Sequence, residues 1–572
     1  MNSAERLLHE NDSFFPEFGE TLAIDGSERR IIQQKCSLEA IKFRKKGSDL
    51  FNQRKQDELT HRLILSYYSK SIAYAPSNSE ELALAYNNRS LLWLRLHKRD
   101  FCSSDIERAL KITKSNELKQ KLQARKNKCS NSSHDHNPET SAEISLSTAS
   151  RNIVCGSDSI TVEYNEDCGR HLVATRNIKA GEVILHEQTP YGFVDLHNFY
   201  LICSNCLKYA WIGIPCEYCV YTIYCSESCK SEAWLQYHDV MCPMLPFLIN
   251  KANKPVACML LNMMKMLIIN IRREGLETVI SEAEKIDDGD DEKNFLQAKR
   301  FDCHKFSSLY NLKSYFDEEC EETDILEMGI DTHVSSLLQL LSRSPIINNP
   351  SQNLDQEVIQ SSLEWILKKL FVILSSNGFK FEDVTLGYRN LTESTCISVR
   401  GTIVGPCSSL INHSCDPNTS MMYLLGPRIV MYTIRPVKKG EQLCISYGPT
   451  ATQDLETRQH GLRNTFFFRC KCKPCVEDWP DLDDLVMDPL KMQMLSKKVQ
   501  DTFGRHASMF SQPPDTWIHS KSLFDKSLEL CNYVHQHFDE KAAFWLTEPY
   551  RWYIGISFHK FYCENVDLLI SS

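Results

Sequence analysis

The sequence predicts an α+β multidomain protein, and three observations carry that prediction. A chain of 572 residues is too long for one hydrophobic core, so two to four domains are expected. From Ile41 apolar residues recur at helical spacing, whereas from Ile160 they alternate in short runs broken by glycine turns. Beyond those runs, paired cysteines and a histidine crowd into forty residues, which points to metal-held structure.

Composition narrows the class further. A net charge of -9 argues against a broad phosphate-binding surface, so direct DNA binding is not expected. Twenty-four cysteines are spread through a long chain without an apolar signal segment, which favours metal binding in a reducing compartment over disulfides. Cytoplasm and nucleus are the expected locations. The most apolar run, Ala257 to Ile271, is interrupted by Asn262, Lys265 and Asn270 and falls short of the roughly 20 residues of a membrane span. It is expected to be a buried amphipathic helix.

Residues 1–40 read as an irregular leader and 41–125 as a helical domain. Phe51 and Ala85, Tyr67 and Phe101, and Ala75 and Ala109 recur at an offset of 34 residues, which implies stacked helical hairpins. The segment Ala85-Tyr86-Asn87-Asn88-Arg89-Ser90, with Leu92, Leu94, Leu96, Phe101, Asp105 and Ala109, resembles a tetratricopeptide (TPR) repeat. That resemblance implies peptide or protein partners, chaperones among them. Asn88 matches a carboxylate-clamping position, but Arg44 and Ser48 replace the usual Lys and Asn. A helical prop packed on the rest of the chain is the plainer reading. Residues 126–154, rich in Ser, Asn and Thr, read as a linker.

Strands follow in 155–200, including Ile160 to Tyr164, Cys168 to Ala174 and Ile178 to Leu185. In 203–242 come Cys203-x2-Cys206, Cys216-x2-Cys219, Cys225-x3-Cys229 and His238-x3-Cys242. Eight such ligands suit two tetrahedral Zn2+ ions with no open position, hence structural ions. Spacing alone allows sequential or interleaved pairs. Residues 243–375 show helical periodicity, with buried faces expected at Leu337 to Leu341 and Leu363 to Leu374 and a solvated acidic loop at Glu282 to Glu292. Strand patterning returns in 376–448, a further cysteine group occupies 449–480, and 481–572 is helical.

Three motifs are decisive: Asn412-His413-Ser414-Cys415-Asp416-Pro417-Asn418, then Gly440-Glu441-Gln442-Leu443-Cys444-Ile445-Ser446-Tyr447, then Cys470-x-Cys472-x2-Cys475. In this order they resemble a SET-type protein lysine methyltransferase, and the order of the 203–242 pairs resembles a MYND zinc finger. The chain as a whole resembles the SET and MYND domain family. The resemblance implies a small-strand SET domain, 155–200 and 376–448, interrupted by the finger and a helical insert and completed by a post-SET segment at 449–480. A TPR-like region precedes it and a helical C-terminal region follows.

The implied activity is methyl transfer from S-adenosylmethionine to lysines of protein substrates. Tyr447 would be catalytic. Gly169, Arg170, Asn377, Asn412, His413, Tyr447, Phe466 and Phe468 would bind the cofactor or line the lysine channel. His171 stands where the family has a second glycine. The finger ligands would interleave, Cys203, Cys206, Cys225 and Cys229 against Cys216, Cys219, His238 and Cys242. Cys415 would join Cys470, Cys472 and Cys475 around a third zinc. The finger would take peptides, because Glu217, Glu227, Glu232 and Asp239 dilute its positive charge. A monomer is expected. The alternative is a catalytically idle scaffold that recruits partners, such as transcriptional co-repressors, through finger and repeats.

Overall fold

A computed structural model describes residues 35–53, 57–130, 146, 148–251, 254–289, 300–313, 330–348, 354–382, 399–424, 426–480, 484–504 and 520–562. The chain divides into two compact units. One comprises Met1–Pro138, Phe193–Ile268 and Asp567–Ser572, the other Glu139–Gly192 and Ile269–Val566.

In the first unit the helical spacing becomes Ser37–Phe51, Glu58–Tyr74, Glu80–Arg95, Arg99–Ile112 and Asn116–Ser130, each packed on the next. Start signals are local: Asp57 accepts the Thr60 N–H at 2.8 Å and Ser79 accepts the Leu82 N–H at 3.2 Å. Tyr67, Ala75, Ala85 and Ala109, positions picked out by the 34-residue offset, are buried.

Two boundaries differ from the sequence reading. The first helix starts at Ser37, inside the expected 1–40 leader, because Ala40 already begins its buried stripe. The last runs to Ser130, into the expected 126–154 linker, because Leu118, Leu122 and Cys129 form a buried face that outweighs the polar composition. Residues 1–34 and most of the linker lie outside the described residues.

The finger belongs to the same unit. A short hairpin, Ile214–Pro215 with Ile223–Tyr224, precedes the helix Glu227–Ala233, whose start is capped by Ser226. The helical region packs on it through buried polar groups. Arg89 holds both carboxylate oxygens of Asp105 at 2.8 Å and reaches Ser69 Oγ and Gly213 O. Arg62 donates to the Tyr209 hydroxyl at 3.0 Å, and Lys35 donates to Cys216 O at 2.7 Å. The clamp position is occupied internally, since Asn88 Nδ2 donates to Ser48 Oγ at 3.0 Å.

The second unit holds the strands. Ile160–Asn165 pairs antiparallel with Gly169–Ala174. Arg428–Thr433 lies between Val183–Gln188 and Thr419–Leu424, and Gly378–Glu382 pairs with Val399–Val404. Asn412–His413 and Cys444–Ile445 form a two-residue parallel pair. Ile160, Leu172, Ile184, Leu185, Met431, Leu443 and Ile445 make one continuous core across these pieces. The last 7 residues of the expected linker, 148–154, belong to this fold: Ser150 N–H bonds Gly156 O, Val154 N–H bonds Phe301 O, and Ile153 is fully buried.

The insert is helical, with Leu276–Asp287, Ile330–Leu341 and Gln356–Asn377, and the expected faces at Leu337, Leu341 and Leu363 are buried. The acidic run is not a loop through Asp287. Ala283 and Ile286 are buried on a helix, and Asp287 accepts hydrogen bonds from Tyr310, Trp365 and Lys369. Residues 290–292 lie outside the described residues.

Ala257 to Ile271 form part of the helix Lys254–Glu274, whose polar interruptions are used internally; Asn270 accepts the Tyr191 hydroxyl at 2.8 Å. No helix among the described residues is long and apolar enough to cross a membrane. The C-terminal helices Pro489–Phe503, Lys521–His537 and Glu540–Tyr562 pack Leu530, Val534, Tyr553 and Phe558 onto Val430 and Tyr432 of the sheet.

Candidate functional site

The loop 412–418 is fixed residue by residue. Asn412 pairs its backbone with Cys444, and its Nδ2 donates to Cys168 O at 3.1 Å and toward Arg170 O at 3.5 Å. The Gly169 turn is thereby held, with Gly169 at φ 62°, a conformation favouring glycine, and no atom within 4 Å of where a Cβ would stand. His171 follows at an ordinary strand φ, and its buried Nδ1 turns back to Gly169 O at 2.9 Å. A side chain there strains no backbone.

His413 accepts the Tyr447 N–H on Nδ1 at 3.0 Å. That bond places the ring proton on Nε2, 3.4 Å from Cys415 Sγ. Burial holds the imidazole well below its usual value, at about 4, so it is neutral. Cys415 O accepts the Ala451 N–H, and Cys415 N–H points at Cys472 Sγ. Asp416 meets Arg551 at 2.6 Å and Arg435 at 3.5 Å. Asn418 binds both Gln442 O and the Cys444 N–H at 2.8 Å.

Tyr447 donates its hydroxyl proton to Ile411 O at 2.7 Å. Its ring lies 4.8 Å from Phe466, 5.4 Å from His413 and 6.4 Å from Phe468. A cleft of about 690 Å³ opens here, lined by Asn377, Phe379, Ile411, Met421, Tyr447 and Phe466 among others. Its walls are mainly apolar and aromatic. Phe467, between the two phenylalanines, takes φ 56° as the cap of the helix Leu455–Phe466, which turns the chain from the cleft wall toward the cysteines.

Three clusters each gather four donors within 4.8 Å of one another: Cys203, Cys206, Cys225 and Cys229; Cys216, Cys219, His238 and Cys242; and Cys415, Cys470, Cys472 and Cys475. The finger pairs therefore interleave. Tetrahedral Zn–S bonds of about 2.3 Å put sulfurs about 3.8 Å apart. The observed separations are 3.5 Å for Cys206–Cys225 and Cys415–Cys475 and 3.9 Å for Cys216–Cys242. These donor sets fit Zn2+, and four protein donors leave no position open for substrate.

Residues 169–448 match the SET domain family. A SET and MYND domain-containing protein of Dictyostelium discoideum is 26% identical over 337 residues, covering 54% of this chain and 58% of that protein. The chain is 24% identical over 504 residues to protein-lysine N-methyltransferase SMYD4 of Danio rerio, covering 77% of this chain and 65% of that protein. To protein-lysine N-methyltransferase SMYD4 of Homo sapiens it is 23% identical over 591 residues, covering 83% and 72%. The chain thus spans about two thirds of these relatives' length, and just under two thirds of the Danio rerio protein. A solved structure, the SET domain of LSMT bound to lysine and AdoHcy, is similar at TM-score 0.26 and 12% identity, covering 70% of this chain and 85% of that one.

Most of the residues singled out from sequence converge. Gly169 and Arg170 sit beside Asn412, while His413, Tyr447, Phe466 and Phe468 form one aromatic group. Asn377 lines the same cleft as Tyr447, but its side chain is bonded to Lys313 O and Ile373 O at the end of a helix. The side chains of Asn412 and His413 hold the protein's own backbone and a cysteine, so a ligand would meet this loop through its main chain. Sequence reading missed Glu187, Asp416, Arg551, Phe379 and Met421. None of them carries a local sequence pattern that marks its role.

Proposed function

We propose that this chain is a protein-lysine N-methyltransferase that uses S-adenosylmethionine. The observation that carries the reading is the apolar and aromatic cleft, which reaches Tyr447 where that residue is bonded to the Asn412–His413 loop. The open backbone face at Gly169, where a Cβ would meet nothing, fits close approach of a cofactor, and Gly169, Arg170 and Asn412 would hold it. The cofactor supplies an electrophilic methyl group on a sulfonium.

The chain's residues do the positioning. A lysine entering between Phe379, Met421 and Phe466 loses water, which favours the neutral amine that the reaction needs. Tyr447, its proton engaged by Ile411 O, offers oxygen lone pairs as acceptors toward the amine. Alignment of amine and methyl group is the main catalytic demand, since no covalent enzyme intermediate is required.

Three zinc ions are structural in this reading: two in a MYND-type finger and one joining Cys415 to the post-SET cysteines. The TPR-like helices buttress the finger through Arg89, Arg62 and Lys35. Finger residues Tyr218 and Leu235, 37% and 73% exposed, suit a peptide partner, while Lys230 is occupied by Glu217 and Glu227 and is poorly placed for phosphate. Incubation of the full chain with labelled S-adenosylmethionine and a protein array tests the reading. Label on lysine is expected; cofactor binding with no label on any lysine overturns it, and no cofactor binding by calorimetry favours the scaffold.

A further inference from the structure

A fourth group of donors lies apart from the three clusters already described. The Sγ atoms of Cys155 and Cys407 and a carboxylate oxygen of Glu187 lie within 4.8 Å of one another, all buried. The Cys303 thiol contacts both Cys155 and Cys407 and is itself buried. We propose that Cys155, Cys303, Cys407 and Glu187 form a fourth metal site that holds a soft divalent cation such as Zn2+.

The backbone sets the donors in place. Val154 N–H bonds Phe301 O and Phe301 N–H bonds Asn152 O, which carries Cys303 beside Cys155. The His186 N–H bonds Cys155 O at 2.9 Å, which brings Glu187 alongside. Glu187 accepts the N–H groups of Cys407 and Ser408 at 3.0 and 2.8 Å, together with the Ser408 hydroxyl. Four separate stretches of chain therefore deliver one donor each.

Charge decides between this site and ordinary packing of small apolar thiols. Three donors all point at Glu187, an arrangement suited to an ionised carboxylate. Yet the side chain is fully buried, and among the described residues no Lys, Arg or His forms an ion pair with it. Burial without a countercharge pushes the Glu187 carboxyl up, to about 7, and the thiols beside it offer no positive charge. A bound divalent ion supplies that charge, and its binding would release thiol protons. Bonds of about 2.3 Å to sulfur and 2.0–2.2 Å to oxygen need donors roughly 3.5–3.8 Å apart, so Cys155, Glu187 and Cys407 would close by at most about 1.3 Å from their 4.8 Å limit, while Cys303, seated against Cys155 and Cys407, would turn toward Glu187. Cys407 would then fix one end of the segment 407–415, whose other end Cys415 fixes.

The test is the metal content of the full chain, expressed with zinc supplementation, purified without chelator and measured by inductively coupled plasma mass spectrometry. Four equivalents are expected. Cys303→Ser and Cys407→Ser should each fall to three, while Cys258→Ser, outside every cluster, stays at four. Three equivalents in the wild type, four retained in both cluster variants, or a disulfide among these cysteines in the intact mass would overturn the proposal. Should the cluster variants fail to fold, the wild-type count decides.

Discussion

Replacing Arg551 by Met removes the cation that ties the C-terminal helix to the 412–418 loop. Arg551 Nη1 lies 2.6 Å from Asp416 Oδ1, with side chains only 6% and 10% exposed. Taking one partner from a buried pair costs about 3–5 kcal/mol, because the other charge stays buried. Here Arg435 remains 3.5 Å from the second Asp416 oxygen, though it is shared with Glu441. Met also preserves the apolar contact that Arg551 makes over Phe544. Both facts place the cost near the lower limit, about 3 kcal/mol, or on the order of a hundredfold in a local opening constant. A 572-residue chain of two units does not unfold in one step, so global denaturation is the wrong assay. Hydrogen exchange followed by mass spectrometry on peptides spanning 412–419 and 545–555 reads the opening directly. Exchange should accelerate by about two orders of magnitude in both. Protection unchanged within about threefold would mean that Arg435 alone satisfies Asp416 and that the pair does not hold the loop.

The remaining predictions concern the same region. Tyr447→Phe should lower stability by only about 1 kcal/mol, the net worth of one hydrogen bond, but turnover by roughly a hundredfold with unchanged cofactor affinity; unaltered turnover would remove Tyr447 from the chemistry. Cys415→Ser should release one zinc and speed exchange at the Ala451 amide, which Cys415 O accepts; an unchanged zinc count would exclude Cys415 as a ligand. Burial, with Arg551 beside it, holds His535 down to about 2, so the folded chain keeps it neutral while the unfolded chain takes a proton near its ordinary value of about 6.5. The stability this provides is present above that value and lost as pH falls below it. Hydrogen exchange on peptides spanning 530–540, corrected for the intrinsic pH dependence of exchange, should therefore show a smaller loss of protection between pH 7 and 5 for His535→Gln than for the wild type; equal losses would contradict the assignment.

What the sequence made legible follows from how local each constraint is. Metal ligands must approach one ion, so two of them sit two to four residues apart, and spacings such as Cys203-x2-Cys206 and Cys470-x-Cys472-x2-Cys475 survive as patterns. Turns behave alike, as at Gly169. Partnerships across long separations leave no such trace. Glu187 finds Cys407 and Ser408 220 and 221 residues later, and Asp416 finds Arg551 135 residues later. Each residue alone looks like a surface charge. The acidic run Glu282 to Glu292 departs from expectation as far as Asp287 for a related reason: composition suggests a solvated loop, but Ala283 and Ile286 carry a helix face into the core. Interleaving of the finger ligands was also beyond spacing, because it depends on which pairs the hairpin Ile214–Pro215 with Ile223–Tyr224 brings together.

The 412–418 loop is also where a cluster of metal-ligand type meets the cleft. From Cys415 Sγ the path runs through the His413 ring to the Tyr447 amide, with links of 3.4 and 3.0 Å. A thiolate at Cys415 accepts the Nε2 proton of His413, and that bond sets the tautomer that accepts the Tyr447 N–H. Removing the ion leaves Cys415 to be protonated, which weakens its claim on Nε2 and frees the ring to rotate. Tyr447 would then lose the bond that fixes its backbone, while the apolar core of Ile184, Leu185, Met431 and Leu443 stays intact. A cleft that works by positioning is sensitive to shifts of about 1 Å, far smaller than those that unfold a domain. Loss of an ion bound by Cys415, Cys470, Cys472 and Cys475 should therefore cost activity well before it costs the fold, as expected if this cluster positions Tyr447 rather than acting as a general staple.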